Sequence, residues 1–293
     1  MAKPNISVIM CAYNEEKNIE KLLLQVLDQK LSYAPIKEIL VVSSGSTDGT
    51  DAIVTKIPDK KISLLREPKR LGKVSAVNLG LSHAKGDLII LCSADVQLER
   101  FTFQKLVEKF NDSKIGMVGA HPIPTNNPES FSGFCSHLVW SLHHEIALHY
   151  PKCGEVVAFR NFGYSIPNNS PIDEAYLEHH YVAEGYRLAY APEAIVHNHG
   201  PESITDFLRQ RRRIHSQHLF LKNKMKYMVS TSNPRIVFSA FFKTLKFDPI
   251  SLLFTFGAVK LEILSMLLGA YDFYIKKNYH TTWEMVETTK AVK

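Results

Sequence analysis

The sequence predicts an α/β protein built on an open, mostly parallel sheet that is flanked by helices. Over residues 6–92, short apolar runs alternate with segments of helical spacing, and polar turns separate them. The C-terminal part lacks this alternation and is strongly apolar. The 293 residues, 45 % hydrophobic and 22 % charged, exclude a disordered or collagen-like chain and allow one large domain or two small ones.

Each element of the alternating part has its own signal. Short, mostly apolar runs, which are typical of buried strands, occur at 6–10, 38–42, 62–65 and 87–92. A helix is predicted over 15–28, where apolar residues recur at helical spacing: Ile19, Leu22, Leu23, Val26 and Leu27. Further helices are predicted near Asp51 and over 72–83. Ligands of such sheets bind beyond the carboxyl ends of the strands, so the segments that follow the four strands should meet in one cleft.

The rest of the chain is less regular. The stretch 116–200 is rich in Pro, Asn and His, and it predicts a helix over 173–184 with short strands near Leu188 and Ile195. A helix that begins at Ile204 carries the run Arg209-Gln210-Arg211-Arg212-Arg213. We expect a first domain over 1–218 and a basic, apolar helical region over 219–293.

The apolar C-terminal stretch predicts a membrane-associated helix. Residues 249–275 are long enough to span a bilayer, and Pro249 suits the first turn of a helix. Lys260 and Glu262 lie near the centre, where charge is costly in lipid. We therefore expect an interfacial or re-entrant helix, with a spanning helix or hairpin and a buried or oligomer-forming helix as alternatives.

The segments after the strands carry the chemistry of a nucleoside-diphosphate site. They contain a turn that begins with Ser43 and Ser44, a basic segment that ends in Lys73, and the isolated acid Asp95. Lysine and backbone N–H groups can face phosphates, and an aspartate can hold a divalent cation that bridges the same phosphates. Each segment alone could be an ordinary turn, cap or surface group, but their order and spacing favour a shared site.

With these motifs, the stretch 6–218 resembles a family 2 glycosyltransferase with the GT-A fold. In that family a Tyr-Asn-Glu segment after the first strand helps hold the nucleotide base, which implies donor-binding roles for Ala12, Tyr13 and Glu15. The family's Asp-Asp-Gly-Ser segment is matched by Ser43-Ser44-Gly45-Ser46, so a serine replaces the acid that accepts a hydrogen bond from the base. A hydroxyl both donates and accepts, so uracil and guanine both stay open.

The resemblance also implies a metal ion. The family's Asp-x-Asp metal motif is matched by Ser93-Ala94-Asp95, which retains the last acid, the usual ligand, and has Ser93 in place of the first. One carboxylate and two diphosphate oxygens leave octahedral Mg²⁺ or Mn²⁺ in need of further ligands. Water, His197 or His199 could supply them, and an imidazole is more natural for Mn²⁺ than for Mg²⁺.

Two more motifs complete the implied site. Family members place a Glu-Asp pair at the start of a helix; here the pair is Asp173-Glu174, in swapped order, with Glu174 at the position of the catalytic Asp. A carboxylate there would take the acceptor proton, although both acids could simply favour the helix N-terminus. Gln210 and Arg213 match the family's Gln-x-x-Arg-Trp motif, with Ile214 in place of Trp, and Arg213 inherits the contact with the diphosphate.

These matches imply an inverting, metal-dependent transferase that moves a sugar from a UDP- or GDP-sugar to a glycan or to a polyprenyl or other lipid-linked acceptor. The expected location is the cytoplasmic face of the cell membrane, with a peripheral or monotopic tail, and the oligomeric state stays open. Alternatives are a nucleotidyltransferase with the same sheet and a non-catalytic sugar-nucleotide-binding protein. A nucleic-acid partner is not expected, because no basic surface interleaved with aromatic residues supports one.

Cysteine usage, the N-terminus and the charge distribution complete these expectations. None of the four cysteines has C-x-x-C spacing, which favours a reducing compartment, and residues 1–5 contain no long apolar stretch of a secretory signal. Ten Lys and Arg and no acid lie between Asp206 and Asp248; subtracting them from the net charge of +6 leaves −4 for the rest. We expect this stretch to join a donor-phosphate site to an anionic lipid surface.

Overall fold

The fold is seen in a computed structural model that describes residues 3–282; residues 1–2 and 283–293, the end of the second predicted region, lie outside the described range. One sheet of eight strands has the order β3-β2-β1-β4-β7-β6-β8-β5. Its strands are β1 (Ile6–Ala12), β2 (Ile36–Ser44), β3 (Ile62–Glu67), β4 (Leu88–Ser93), β5 (Val96–Leu98), β6 (Ile115–Pro124), β7 (Val156–Arg160) and β8 (Arg187–Asn198). The helices are α1 (Ile19–Leu27), α2 (Thr50–Lys56), α3 (Lys73–His83), α4 (Thr102–Glu108), α5 (Phe131–Ala147), α6 (Glu174–Ala183), α7 (Ile204–Phe220), α8 (Pro234–Thr244) and α9 (Pro249–Tyr271).

The predicted α/β architecture is confirmed. Strands β3, β2, β1 and β4 are parallel neighbours, so their carboxyl ends lie along one edge of the sheet. Beyond β4 the sheet becomes mixed, because β7 runs antiparallel to both β4 and β6, while β8 runs parallel to β6. This topology places the segments that follow β1, β2, β3 and β4 side by side.

Both faces of the sheet are covered, which explains the continuous apolar runs of its central strands. On β1, Val8 and Met10 belong to the core under α1 and α4, whereas Ile9 belongs to the core under α3 and α6. All three side chains are fully buried. The sheet is therefore rigid behind the loops at its carboxyl edge.

The middle of the chain is more regular than the sequence suggested. Helix α5 spans 17 residues and begins at a Ser130 side chain that accepts a hydrogen bond from the Gly133 N–H. The two short strands expected near Leu188 and Ile195 are one strand, β8, which continues through a register shift opposite β6. Pro, Asn and His obscured both elements, because these residues weaken the local signal while the tertiary contacts of β6 and β8 override it.

Helix α9 packs lengthwise against α7. Small or buried residues of α9 form the contact: a Cβ on Gly269 would come within 2.7 Å of the Arg212 carbonyl oxygen, and Ser265 is fully buried. Glu262, which the sequence placed near the centre of an apolar helix, accepts hydrogen bonds from Arg211 at 2.5 and 2.9 Å and lies 2.9 Å from His215 Nε2. The charge therefore faces another helix of the protein.

Removal of this carboxylate should loosen the two helices. We expect Glu262→Ala to lower the free energy of unfolding by about 2 kcal/mol, because Arg211 is left partly buried without its acceptor. Urea unfolding measures the difference. The matched control is Glu145→Ala, whose carboxylate lies 3.7 Å from Lys243 in a more exposed pair and should cost under about 1 kcal/mol. Equal losses in the two variants would contradict a structural role for the Arg211–Glu262 pair.

Candidate active site

A cavity of about 1180 Å³ lies at the carboxyl edge of the sheet. It brings together residues that are far apart in the sequence, including twelve of the predicted site residues: Ala12, Tyr13, Glu15, Ser44, Lys73, Ser93, Asp95, Asp173, Glu174, His199, Gln210 and Arg213. Two others do not line it. The side chain of Ser43 is buried within the sheet, and His197 points its Nε2 toward Glu99 at 3.4 Å. Of the two predicted serines, only Ser44 lines the cavity, and of the two predicted histidines, only His199 does.

The loops after β1, β2 and β3 form one end of the cavity. Thr47 N–H donates to Asn14 Oδ1 at 2.8 Å, which ties the first loop to the second. Gly45 has φ +67°, and a Cβ there would come within 2.6 Å of the Arg70 backbone nitrogen, so only glycine fits where the third loop packs on the second. Arg70 lies over the Tyr13 ring at 4.0 Å. This end therefore offers a planar aromatic and guanidinium surface.

An acid–lysine cluster lies deeper in the cavity. The first residue of α3, Lys73, donates to Glu174 Oε1 at 2.5 Å and lies 2.9 Å from Asp173 Oδ2. Burial and the neighbouring Glu174 raise the pKa of Asp173 to about 7. Burial opposes the ionisation of Glu174, but the Lys73 charge outweighs it and lowers the pKa of that carboxyl. Lys73, predicted to face phosphates, here holds the two predicted catalytic acids.

Arg213 projects from α7 toward the same acids. Burial lowers the pKa of its guanidinium to about 10, while the charges of Asp173, Glu174, Glu155 and Asp95 act in the opposite direction. Its side chain also lines the cavity. A cationic group so surrounded can accept an anionic ligand at little cost in reorganisation.

The oxygen atoms that could hold a cation come from the turn after β4, the end of β8 and the turn before β7. Besides Asp95, the cavity is lined by Glu155 and Asn198, whose Nδ2 donates to Glu155 Oε1 at 3.2 Å. Asn198 Oδ1 is buried and has no hydrogen-bond partner among residues 3–282. Burial and the Asp95 charge raise the pKa of Glu155 to about 7. Carboxylate and amide oxygens suit Mg²⁺ or Mn²⁺, so these side chains fit a divalent cation.

The predicted histidine ligands fit less well. The two ring nitrogens of His199 lie 2.9 Å from Thr125 Oγ1 and from Glu202 Oε1, so both are occupied. In the described part of the chain, no three His, Cys, Asp or Glu side chains form a cluster that could hold a metal by themselves. A cation at Asp95 would therefore need oxygen atoms from its ligand.

Glu155 and Asn198 were missed from the sequence. Glu155 follows a glycine, has φ +59°, and shows no local motif, because its position depends on the pairing of β4 with β7. Asn198 is the last residue of β8. Its place opposite Val96, next to Asp95, is set by the antiparallel pairing of β5 with β8.

The far side of the cavity is an apolar arm that the sequence did not predict. Helices α5, α7, α8 and α9 supply its lining: Leu138, Val139, Trp140, Leu142, Ile146, Ile214, Val237, Phe241, Val259 and Ile263. The segment 278–282 also reaches the cavity, and a Cβ on Gly72 would come within 2.6 Å of the Thr281 carbonyl oxygen. One cavity thus joins the polar strand ends to the C-terminal helices.

The chain resembles several known glycosyltransferases. It is 38 % identical over 108 residues to a dolichyl-phosphate beta-glucosyltransferase of Trichomonas vaginalis, covering 34 % of this chain and 32 % of that protein. It is 26 % identical over 222 residues to a poly-beta-1,6-N-acetyl-D-glucosamine synthase of Staphylococcus aureus, covering 71 % of this chain and 53 % of that one. The chain thus spans between a third and about half of the length of these two relatives.

Solved structures share the fold at low sequence identity. A mannosyltransferase from Pyrobaculum calidifontis, solved with GDP-Man and Mn²⁺, matches with a TM-score of 0.67 at 21 % identity and covers 94 % of this chain and 89 % of that one. Glucosyl-3-phosphoglycerate synthase from Mycobacterium tuberculosis, solved with Mn²⁺ and UDP, matches with a TM-score of 0.53 at 16 % identity over 74 % of this chain and 78 % of that one. These likenesses confirm the GT-A-like fold.

The family follows from the sequence match. Residues 7–172, more than half of the chain, match the family described as Glycosyl transferase family 2. The matched region begins in β1 and ends immediately before the Asp173-Glu174 pair, so it contains the strand-end loops and Asp95. With its sheet, its strand-end cavity and this match, the chain belongs to glycosyl transferase family 2.

Proposed function

We propose that this protein transfers a sugar, with inversion, from a nucleotide-sugar to a lipid-linked acceptor at a membrane surface. The observation that carries the proposal is the continuity of the cavity. Its polar end contains Asp95, Arg213 and the acid–lysine cluster, and its apolar arm is lined by α5, α8 and α9. The relative from Trichomonas vaginalis, named for a dolichyl-phosphate substrate, supports a lipid acceptor.

The polar end suits the donor. Arg213 would contact the diphosphate and stabilise the charge that develops on the departing nucleoside diphosphate. Asp95, with Glu155 and Asn198 beside it, would hold Mg²⁺ or Mn²⁺. When bound, that cation would neutralise diphosphate charge. The aromatic and guanidinium surface of Tyr13 and Arg70 is left for the base.

The acid pair suits the acceptor. An attacking hydroxyl must lose a proton as it bonds to the anomeric carbon, and Glu174, with Asp173 beside it, would take that proton. Lys73 holds both carboxylates in position through its amine. A phosphate acceptor is already anionic and needs no base, so the effect of removing Glu174 separates the two acceptor classes.

The C-terminal helices suit the membrane surface. In the described part of the chain, one helix, Pro249–Lys276, is long and apolar enough by length and composition to cross a bilayer. However, α9 is joined to α7 by the Arg211–Glu262 ion pair, and α7 also carries Arg213 into the cavity. A crossing α9 would draw α7 and part of the active site into lipid. We therefore infer that α9 lies in the plane of the interface.

The exposed faces of α8 and α9 agree with that orientation. Their large apolar side chains that face solvent include Phe238, Phe242, Ile250, Leu253, Phe256, Ile263, Met266 and Leu267, and Phe247 in the segment between the two helices is also exposed. Exposed basic residues lie nearby in the chain: Lys222, Lys224, Lys226, Arg235 and Lys246. The predicted basic surface is smaller than expected, because Arg211 and Arg212 pair with Glu262 and Asp272 inside the fold.

Charge on this apolar face should prevent membrane binding. We expect the double variant Leu253→Glu/Leu267→Glu to bind vesicles of phosphatidylcholine and phosphatidylglycerol at least about 10-fold more weakly, because each glutamate must be dehydrated at the interface. Co-sedimentation measures the bound fraction. The control is Leu24→Glu, at a leucine on α1 that is also more than half exposed, and this variant should bind like the wild type. Undiminished binding by the double variant would contradict the in-plane orientation.

An assay of product identity tests the transferase proposal. The full chain, with Mn²⁺, is incubated with UDP- and GDP-sugars and vesicles that contain polyprenyl phosphate or a glycolipid. The proposal expects nucleoside diphosphate release that depends on the lipid, with the sugar recovered on it. Release of pyrophosphate from a nucleoside triphosphate and a sugar phosphate would instead indicate a nucleotidyltransferase. Donor binding with neither turnover nor hydrolysis would indicate a non-catalytic sugar-nucleotide-binding protein.

A further inference from the structure

A buried carboxylate outside the predicted motifs lies beside the serine-rich turn. Glu67, the last residue of β3, pairs in register with Ser44, the last residue of β2, so their side chains leave the sheet on the same side. Ser44 Oγ donates to Glu67 Oε2 at 2.5 Å, and Ser75 Oγ donates to Glu67 Oε1 at 2.5 Å. Ser44 and Glu67 are 5 % and 7 % exposed.

This arrangement fixes the direction of the serine hydrogen bonds. An ionised carboxylate only accepts hydrogen bonds, and a serine has a single proton to donate. The protons of Ser44 and Ser75 are therefore both committed to Glu67. Ser44 also lines the cavity, and there its oxygen can offer lone pairs only. The Ser44 hydroxyl can therefore only accept a hydrogen bond from a ligand in the cavity.

The position of Ser44 in the cavity matches the base of a bound nucleotide. Asp95 and Arg213, proposed for the diphosphate, lie toward β4 and α7, whereas Ser44, Tyr13 and Arg70 lie at the ends of β1, β2 and β3. A nucleotide whose diphosphate is near Asp95 therefore extends its base toward Ser44. This placement rests on the proposed function.

We propose that Glu67 acts through Ser44 to select nucleotides whose base carries a ring N–H. Uracil has such a donor at N3 and guanine at N1, and either can donate to the Ser44 oxygen. Cytosine N3 and adenine N1 instead carry a lone pair, which the Ser44 lone pairs repel. Glu67 is thus a positioning residue that supplies, from the neighbouring strand, the acceptor character that Ser44 alone does not fix.

Relative affinities for nucleoside diphosphates test this selection. Calorimetric titration of the full chain with UDP, GDP, CDP and ADP, each with Mn²⁺, should show UDP or GDP binding at least about 10-fold more tightly than CDP and ADP. Glu67→Gln, which replaces an acceptor-only group by one that also donates, should reduce this ratio at least about 5-fold. Ser44→Ala should bring it near one. Ser75→Ala leaves the Ser44–Glu67 hydrogen bond in place and should keep the wild-type ratio.

The ratio distinguishes selection from a purely structural role. Loss of fold in Glu67→Gln would weaken all four nucleotides alike, and the thermal midpoint would report it; Ser44→Ala then carries the test alone. A wild-type preference for CDP or ADP, or an unchanged ratio in both Glu67→Gln and Ser44→Ala, would overturn the inference while sugar transfer still supported the proposed function. Failure of every nucleoside diphosphate to bind would overturn the proposed function and this inference with it.

Discussion

Replacing Glu174 by Gln is expected to lower the rate of sugar transfer to a hydroxyl acceptor by at least about 100-fold. The amide keeps the shape of the side chain but has no basicity, so the acceptor proton has nowhere to go in the transition state. Donor affinity should change little, because Arg213 and Asp95 are untouched. Initial rates of nucleoside diphosphate release, together with titration of the nucleotide, separate the two effects.

The matched control is another glutamate, at the opposite end of the helix that Glu174 begins. Glu184 is exposed at the C-terminal end of α6, so Glu184→Gln should transfer sugar at the wild-type rate. A Glu174→Gln variant that keeps more than about a tenth of the rate would contradict the base assignment. It would indicate an acceptor, such as a lipid phosphate, that is already anionic when it attacks.

The same acid pair predicts the pH dependence of transfer. The pKa of Asp173 is raised to about 7, so below that pH the pair carries a proton and is a weaker base. The rate should therefore fall as the pH decreases through about 7. In Asp173→Asn the second charge is absent, and the fall should move to lower pH because Glu174 alone, held by Lys73, has a lowered pKa. A pH–rate profile of kcat/KM for both proteins measures the shift.

Removing the Asp95 carboxylate is expected to have an effect of similar or greater size. We expect Asp95→Ala to reduce transfer by about 100- to 1000-fold and to abolish the dependence of nucleotide binding on Mn²⁺. The remaining oxygen ligands, Glu155 and Asn198, lack the second carboxylate that balances the cation. Titration with Mn²⁺ alone, and with nucleoside diphosphate in its presence and absence, reports the loss independently of turnover.

Asp87→Asn is the control for this variant. Asp87 precedes the amino end of β4, at the opposite edge of the sheet from Asp95, where its carboxylate accepts from the Asn5 N–H at 2.8 Å. The Asp87→Asn variant should leave the dependence of nucleotide binding on Mn²⁺ unchanged. Full Mn²⁺-dependent binding by Asp95→Ala would remove Asp95 from the proposed metal site and leave Glu155 as its one assigned carboxylate.

Several parts of this structure could be predicted from the sequence because their signals are local. Apolar runs and helical spacing predicted the four parallel strands and the helices between them, since burial on both faces leaves a continuous apolar run. The turn and cap residues after each strand predicted one shared cleft, because parallel strands end at one edge of the sheet. Family resemblance then implied Asp95, the Asp173-Glu174 pair and Arg213, and all four line the cavity.

The tertiary structure alone decided the partners of these groups. Lys73 meets acids that lie about a hundred residues away, Glu262 meets Arg211 on another helix, and Ser44 meets Glu67 on the next strand. Such pairs have no periodicity and no fixed spacing, because they are set by strand order and by the packing of helices on the sheet. The sequence by itself therefore determined the fold class and the chemical groups of the site. Packing decided which charges face one another, that Glu262 turns inward, and how α9 presents its apolar face.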